Sequence, residues 1–167
     1  MESKGSNGHP ALTDALTGLP NTLHWDTVFK VIFAAGDRGI PLTIILFEVD
    51  DFPGWTQGRD QESVDQTIRA LGLALGSTTR QSDLAARIGE TRFAFFLLDC
   101  NLAGGRLVAD RLDALVDPIR TEAGMRFSMG VASYDRGMAR SDQLMEAAEV
   151  ALKTAQSHGG DQIEFYG

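Results

Sequence analysis

The sequence predicts an α/β fold, an α+β sandwich in which helices lie on a single sheet. Apolar or alternating runs bounded by turn residues recur along the chain and read as strands. Between most of them lie longer segments with apolar side chains at helical spacing. The resulting order, helix-strand-helix-strand-strand-helix-strand-helix-strand, asks for one sheet covered by helices in two or three layers.

Composition narrows the function classes. With 167 residues, 43% of them hydrophobic, the chain is long enough for one domain with a real core. A formal net charge of −8 argues against a nucleic-acid-binding or anionic-membrane surface. The single cysteine, Cys100, permits no internal disulfide and fits a reducing, cytoplasmic compartment. It follows an apolar strand and reads as a packed small residue. No apolar run reaches the ~18 residues of a membrane span, and the N-terminus is no signal peptide. Residues 1–11 read as a disordered lead-in and 12–167 as a single domain.

The elements follow in order. Asp14 to Asn21 is rich in turn residues, and Asn21 or Thr22 can cap a helix over 22–35 with Leu23, Val28, Ile32 and Phe33 on its apolar side. Gly36 and Gly39-Ile40-Pro41 end it. Leu42 to Val49 is β-branched and almost wholly apolar, a central strand that runs out at Glu48, Asp50 and Asp51. Pro53 and Gly54 break it. Val64, Ile68, Leu71 and Leu75 mark a helix over 61–76. Leu84–Ile88 and Phe93–Leu98 read as two strands joined through Gly89-Glu90-Thr91-Arg92, a hairpin with a Gly-led turn. Leu102, Val108, Leu112, Leu115 and Val116 mark a helix over about 102–120. Met125 to Tyr134 alternates as a half-buried strand. Ser141 and Asp142 open a helix that runs through His158 and stops at Gly159-Gly160. Gln162 to Tyr166 is a short last strand.

Four stretches together resemble one family. Asp14-Ala15-Leu16-Thr17-Gly18-Leu19-Pro20-Asn21 is similar to the opening signature D-x-L-T-G-L-x-N of GGDEF domains. Glu48-Val49-Asp50-Asp51-Phe52 resembles their D-I-D-x-F. Arg87-Ile88-Gly89-Glu90-Thr91-Arg92-Phe93 stands where they carry R-Y-G-G-D-E-F. Ala148 to Gln156 resembles their closing A-D-x-A-L-Y-x-A-K helix. The resemblance covers nearly the whole chain. It implies a mostly antiparallel five-stranded sheet flanked by helices, palm-like as in nucleotidyl cyclases. It also implies kinship with diguanylate cyclases, which condense two GTP into cyclic di-GMP, and a place within a longer bacterial signalling protein.

At the family's working positions the chain departs from the pattern. The resemblance implies two carboxylates that hold divalent metal on the triphosphate. Glu48 stands at the first, one methylene longer than the usual Asp, and is the candidate metal ligand. Thr91 stands at the second, and the next acidic position is Arg92, a charge reversal expected to pair with Glu48 or Asp50. Glu90 is out of register by one residue. The phosphate lysine is Pro53, the guanine-reading Asn is Thr56, and the guanine-reading Asp is retained as Asp65. The lysine and arginine near the last helix's end are Gln156 and Gly160. Losing several such contacts, at roughly 2–4 kcal/mol each, argues against turnover. No cofactor is expected, with Mg²⁺ entering only alongside GTP that binds without reacting.

A second site is retained. The family's product-inhibition motif is R-x-x-D five residues before the signature turn, and Arg80-Gln81-Ser82-Asp83 fits it. About one chance match of R-x-x-D is expected in such a chain, so its place carries the weight. The resemblance implies that Arg80 grips a phosphate or guanine edge of cyclic di-GMP, that Asp83 accepts from guanine, and that Arg111 joins them, with Arg106 as a substitute. The competing reading is an Arg80–Asp83 surface pair closing a loop. Three functions therefore stand open: a cyclic di-GMP-binding regulatory module, a non-binding structural or dimerisation domain, and a cyclase rescued by Glu48 and Glu90. Partners implied are cyclic di-GMP, GTP, neighbouring domains of a parent protein, and other GGDEF or EAL proteins.

Overall fold

The computed structural model describes residues 9–167. Residues 1–8 of the expected lead-in lie outside the described residues, and Pro10–Leu12 make one 3-10 turn. The chain then runs α1 (Thr22–Asp37), β1 (Leu42–Val49), α2 (Phe52–Thr56), α3 (Gln61–Gly76), β2 (Leu84–Arg87), β3 (Arg92–Leu98), α4 (Leu102–Ala123), β4 (Phe127–Ser133), α5 (Ser141–Ser157) and β5 (Ile163–Phe165).

One five-stranded sheet has the order β2-β3-β1-β4-β5. All neighbours are antiparallel except β4 and β5, which α5 joins by a crossover. Side chains alternate along β1, so the sheet has two apolar faces. Ile45, Phe47 and Val49 point into a core with Ile68, Leu71, Leu112 and Val116 of α3 and α4. Leu42, Ile44 and Leu46 point into a second core with Trp25, Phe29, Leu144 and Leu152 of α1 and α5. The architecture is therefore three-layered. Trp25 is buried within this second core.

Where the elements differ from expectation, the causes are local. The short helix α2 follows β1 directly, because Asp51 adopts a left-handed conformation (φ 45°) and its carboxylate accepts from Gly54 N–H as the cap. Pro53 suits a first helical turn, where its missing N–H costs nothing. Helix α4 extends to Ala123 and ends at Gly124, whose φ of 65° makes the C-cap. Gly130 lets α5 lie close on β4: an added Cβ would stand 2.3 Å from Ala148 O and Leu152 N.

Candidate functional site

Register builds the first candidate site. Glu48 is flanked in the sheet by Arg92 on β3 and Ser128 on β4. Cross-strand partners project from the same face, so Glu48 and Arg92 meet. Glu48 lies on the alternation that faces α5. That helix presents Glu149, Lys153 and Gln156 at i, i+4 and i+7, along one stripe.

The resulting network is closed. Arg92 Nη2 donates to Glu48 Oε2 at 2.9 Å, and Arg92 Nη1 donates to Glu149 Oε2 at 2.5 Å. Gln156 Nε2 donates to the same Glu48 Oε2 at 2.9 Å. All three charged side chains are between 22% and 28% exposed, so water screens them only in part. Burial alone would push the Arg92 guanidinium down. The hydrogen bonds and charges of Glu48 and Glu149 outweigh it and hold Arg92 above its ordinary value. The expected Glu48 partner is found, Asp50 is not one, and Glu149 was missed by sequence reasoning. Its signal was the i, i+4, i+7 spacing with Lys153 and Gln156.

The other acidic groups nearby are used in the fold. Asp50 accepts from Ser128 Oγ at 2.7 Å and from Asp161 N–H at 2.7 Å. The loop that delivers Asp161 has three successive left-handed residues, Gly159, Gly160 and Asp161. Arg120 anchors it, reaching Asp113, Asp117 and Asp161 at 2.6, 2.6 and 3.0 Å. Asp50, Asp51, Arg126, Gln156, Gly159 and Gly160 line a cleft of about 270 Å³, where the resemblance places the phosphate contacts. Among the described residues, no three His, Cys, Asp or Glu side chains gather closely enough to hold a metal ion.

Glu90 does not reach this network. It borders a depression with Asp14, Asn21, Thr22 and Arg87, and its carbonyl accepts from Arg87 Nη2 at 2.6 Å. Thr91 keeps the turn paired, its carbonyl accepting from Val49 N–H at 3.1 Å. Thr56 Oγ1 donates to Pro53 O, and Asp65 accepts from Gln61 Nε2, both local helix bonds. Trp55 packs against the first core and ties α2 to the end of α4: its Nε1 donates to Ala123 O at 2.8 Å, and Arg59 stacks on the ring at 4.4 Å.

The opening signature proves to be a brace. Asp14 accepts from Thr17 N–H and Oγ1 at 2.9 and 2.7 Å, an Asx-type turn, and pairs with Arg87 Nη1 at 3.2 Å. Burial pushes the Asp14 carboxyl up, but the Thr17 bonds and then Arg87 outweigh it and hold it below 3.8. Pro20 O accepts from Arg87 N–H at 2.9 Å, so this turn also covers the β2 edge.

The second candidate site is a cavity of about 470 Å³ between α4 and the end of β3. Arg80 and Arg111 both line it, together with Asp99, Asn101, Leu107 and Val108. Asp83 does not. Its side chain is 4% exposed, Oδ2 accepts from Arg80 Nε at 3.0 Å, and Oδ1 accepts from Arg80 Nη2 and Leu98 N–H at 3.3 and 3.2 Å. Asp83 thus ties Arg80 to the Leu98 backbone from outside the cavity lining. Arg80 Nη2 also donates to Leu98 O at 3.0 Å. Arg106 is no substitute for Arg111, because its guanidinium packs over the Phe165 ring at 3.9 Å. Cys100 is buried at the cavity floor, and that burial pushes its thiol up.

Comparison with known proteins agrees with this architecture. Residues 11–162 match the family described as "Diguanylate cyclase, GGDEF domain". The chain is 29% identical over 160 residues to the uncharacterized protein YhcK of Bacillus subtilis, covering 91% of this chain and 45% of that protein. It is 26% identical over 165 residues to the diguanylate cyclase DosC of Escherichia coli, covering 95% and 36%. It thus spans less than half the length of these relatives. The GGDEF domain of DgcB from Caulobacter crescentus, solved in complex with c-di-GMP, has the same fold, with a TM-score of 0.85 at 22% identity over 95% of this chain and 98% of that one. The diguanylate cyclase SiaD of Pseudomonas aeruginosa, solved with its activator SiaC, gives 0.84 at 25% identity over 93% and 62%. Among the described residues no helix is long and apolar enough to cross a membrane.

Proposed function

The chain belongs to the GGDEF domain family, and on that premise we propose that it is a catalytically impaired member, a regulatory module that takes cyclic di-GMP between Arg80 and Arg111. The observation that carries the first half is the Arg92 guanidinium lying between Glu48 and Glu149. In the family's reaction two carboxylates hold divalent metal on the triphosphate. Here Glu48 already receives Arg92 and Gln156, and the second position is the neutral Thr91. A divalent ion at Glu48 would have to displace a tethered cation and then sit beside it, so these residues do not fit the metal. GTP, with Mg²⁺ as its companion, is left the cleft beside Arg126, where binding leads to no turnover.

The second half is supported by the cavity, which brings two arginines together around space sufficient for a nucleotide base and phosphate. Guanidinium forks suit phosphate oxygens and the guanine edge. Proteins similar to this chain support the ligand: DgcB was solved with c-di-GMP. The module's output passes to other domains of a parent protein or to a protein partner, as SiaD has its activator.

One observation favours a purely structural domain. Arg80 is already engaged with Asp83 and with Leu98 O, which closes the loop between α3 and β2 without any ligand. Calorimetric titration with cyclic di-GMP separates the two readings. Saturable heat supports the binding module, and no heat at high ligand leaves the structural role.

A further inference from the structure

The two edges of the sheet end differently. At one edge β2 gives its Arg87 N–H to Pro20 O, so the opening turn covers it. At the other edge β5 pairs in parallel with β4, Met129 N–H donating to Gln162 O and Tyr166 N–H to Val131 O. Backbone groups of successive strand residues point to opposite sides, so Gln162, Glu164 and Tyr166 face β4. Ile163 and Phe165 therefore turn their N–H and C=O groups outward, with no backbone partner among the described residues. Side chains alternate on the same strand. Ile163 and Phe165 lean on the core beneath α3 and α4. Glu164 lies on the opposite face beside α5, where its Oε1 and His158 Nδ1 are 3.3 Å apart. On that face Met138, Glu146, Val150 and Tyr166 line a cavity of about 280 Å³, with Val150 and Tyr166 53% and 47% exposed. The cations of α5 and its cap, Lys153 and Arg140, are paired with Glu149 and Asp142.

We infer that the outer edge of β5 docks one extended segment of a partner protein, in which β-branched apolar residues alternate with lysine or arginine. Added as a sixth strand, such a segment pairs its backbone with Ile163 and Phe165. Its apolar side chains then lie beside theirs, and its cations project on the α5 face toward Glu164 and Glu146. Charge decides the occupant. A second copy of this chain, in the two-fold register that pairs Ile163 with Phe165, would set two Glu164 carboxylates directly opposite each other, which is destabilising. Each copy also carries a net charge of −8, which keeps copies apart. A cationic segment meets the reverse on both counts. The inference gives a surface and a chemistry to the protein partner proposed above. It stands apart from the cavity at Arg80 and Arg111, so its test contains no dinucleotide.

The test titrates the protein with a fluorescein-labelled peptide of alternating valine and lysine, seven residues long by design, and reads fluorescence anisotropy. Amide hydrogen exchange, detected by NMR, is followed on the same complex. Binding should be saturable, and exchange of the Ile163 and Phe165 amides should slow, because their N–H groups gain acceptors. The same peptide with glutamate in place of lysine should bind at least about tenfold more weakly. Glu164→Lys should weaken binding of the lysine peptide and tighten that of the glutamate peptide, a reversal that misfolding cannot produce. Equal binding of the two peptides by the wild-type protein overturns the inference. So does binding of the lysine peptide with no slowing at Ile163 and Phe165, which would place it elsewhere on the acidic surface. Protection of these two amides that rises with protein concentration in the absence of peptide would give the edge to a second copy and also overturns it. The absence of saturable binding by the lysine peptide does the same, whatever the dinucleotide titration shows.

Discussion

Arg92 and Glu48 are direct partners across β3 and β1, and their side chains meet at 2.9 Å on the sheet face that α5 covers. Strand register alone brings the substituted position of the signature turn onto Glu48, the acidic residue within β1. The charge reversal is therefore built into the fold as an ion pair, with Glu149 and Gln156 of α5 completing it.

Removal of Arg92 should leave Glu48 and Glu149 half-buried and facing each other without a cation. Arg92→Ala is expected to lower stability by about 1–2 kcal/mol, read from urea denaturation at neutral pH. Arg92→Ala combined with Glu48→Gln should recover part of that loss, because the repulsion goes with the charge. A variant as stable as wild type would show that the pair is solvated and idle.

Asp14 gives the pH dependence. Its folded carboxyl titrates below the ordinary 3.8, so its ionised form favours the folded state. That contribution is fully present above 3.8 and fades as pH falls through the lower folded value. Asp14→Asn should therefore be less stable than wild type at pH 7, and the gap should narrow as the pH falls below the ordinary carboxylate value and through the lower folded one. Thermal melts of both proteins across that range check the sign. A gap that is constant with pH would assign the effect to the hydrogen bonds with Thr17 alone.

The two arginines of the cavity should separate in their effects. Arg111 makes no ion pair among the described residues, whereas Arg80 also ties the loop before β2 to Leu98. Arg111→Ala should weaken cyclic di-GMP binding about tenfold or more and leave the melting temperature unchanged. Arg80→Ala should weaken binding comparably and also lower the melting temperature. Calorimetry beside a thermal melt reads both.

Gly130 sets how closely α5 lies on the sheet. Gly130→Ala would place a methyl 2.3 Å from backbone atoms of α5, and backbone cannot rotate away as a side chain can. A loss of about 3 kcal/mol is expected, measured by denaturant unfolding. Because α5 also carries Glu149 and Gln156, the same change should loosen the Arg92 network.

Much of this fold was legible in the sequence, and the reasons are physical. The run Leu42–Val49 is apolar on both faces, and the structure buries both, against α3 and α4 on one side and α1 and α5 on the other. The helices carry apolar stripes at the spacing that packing requires. Helix α2 was hidden because Pro53 and Gly54 read as breakers, whereas a left-handed Asp51 turns them into a first turn. The site was legible in part: Arg92 was expected on Glu48 or Asp50 from charge alone, and strand register selects Glu48. Glu149 was missed because its approach depends on how α5 lies across the sheet. The Arg80–Asp83 pair was one of the two readings the motif allowed, but the burial of Asp83 was not legible, because a motif gives identity and spacing only.

The account stands most directly on whether two GTP molecules are joined. Purified protein incubated with GTP and Mg²⁺ or Mn²⁺, with products resolved by mass, is the decisive measurement. With Arg92 held between Glu48 and Glu149, cyclic di-GMP should not rise above the protein-free blank. Cyclic di-GMP that accumulates with time and in proportion to protein would contradict the account.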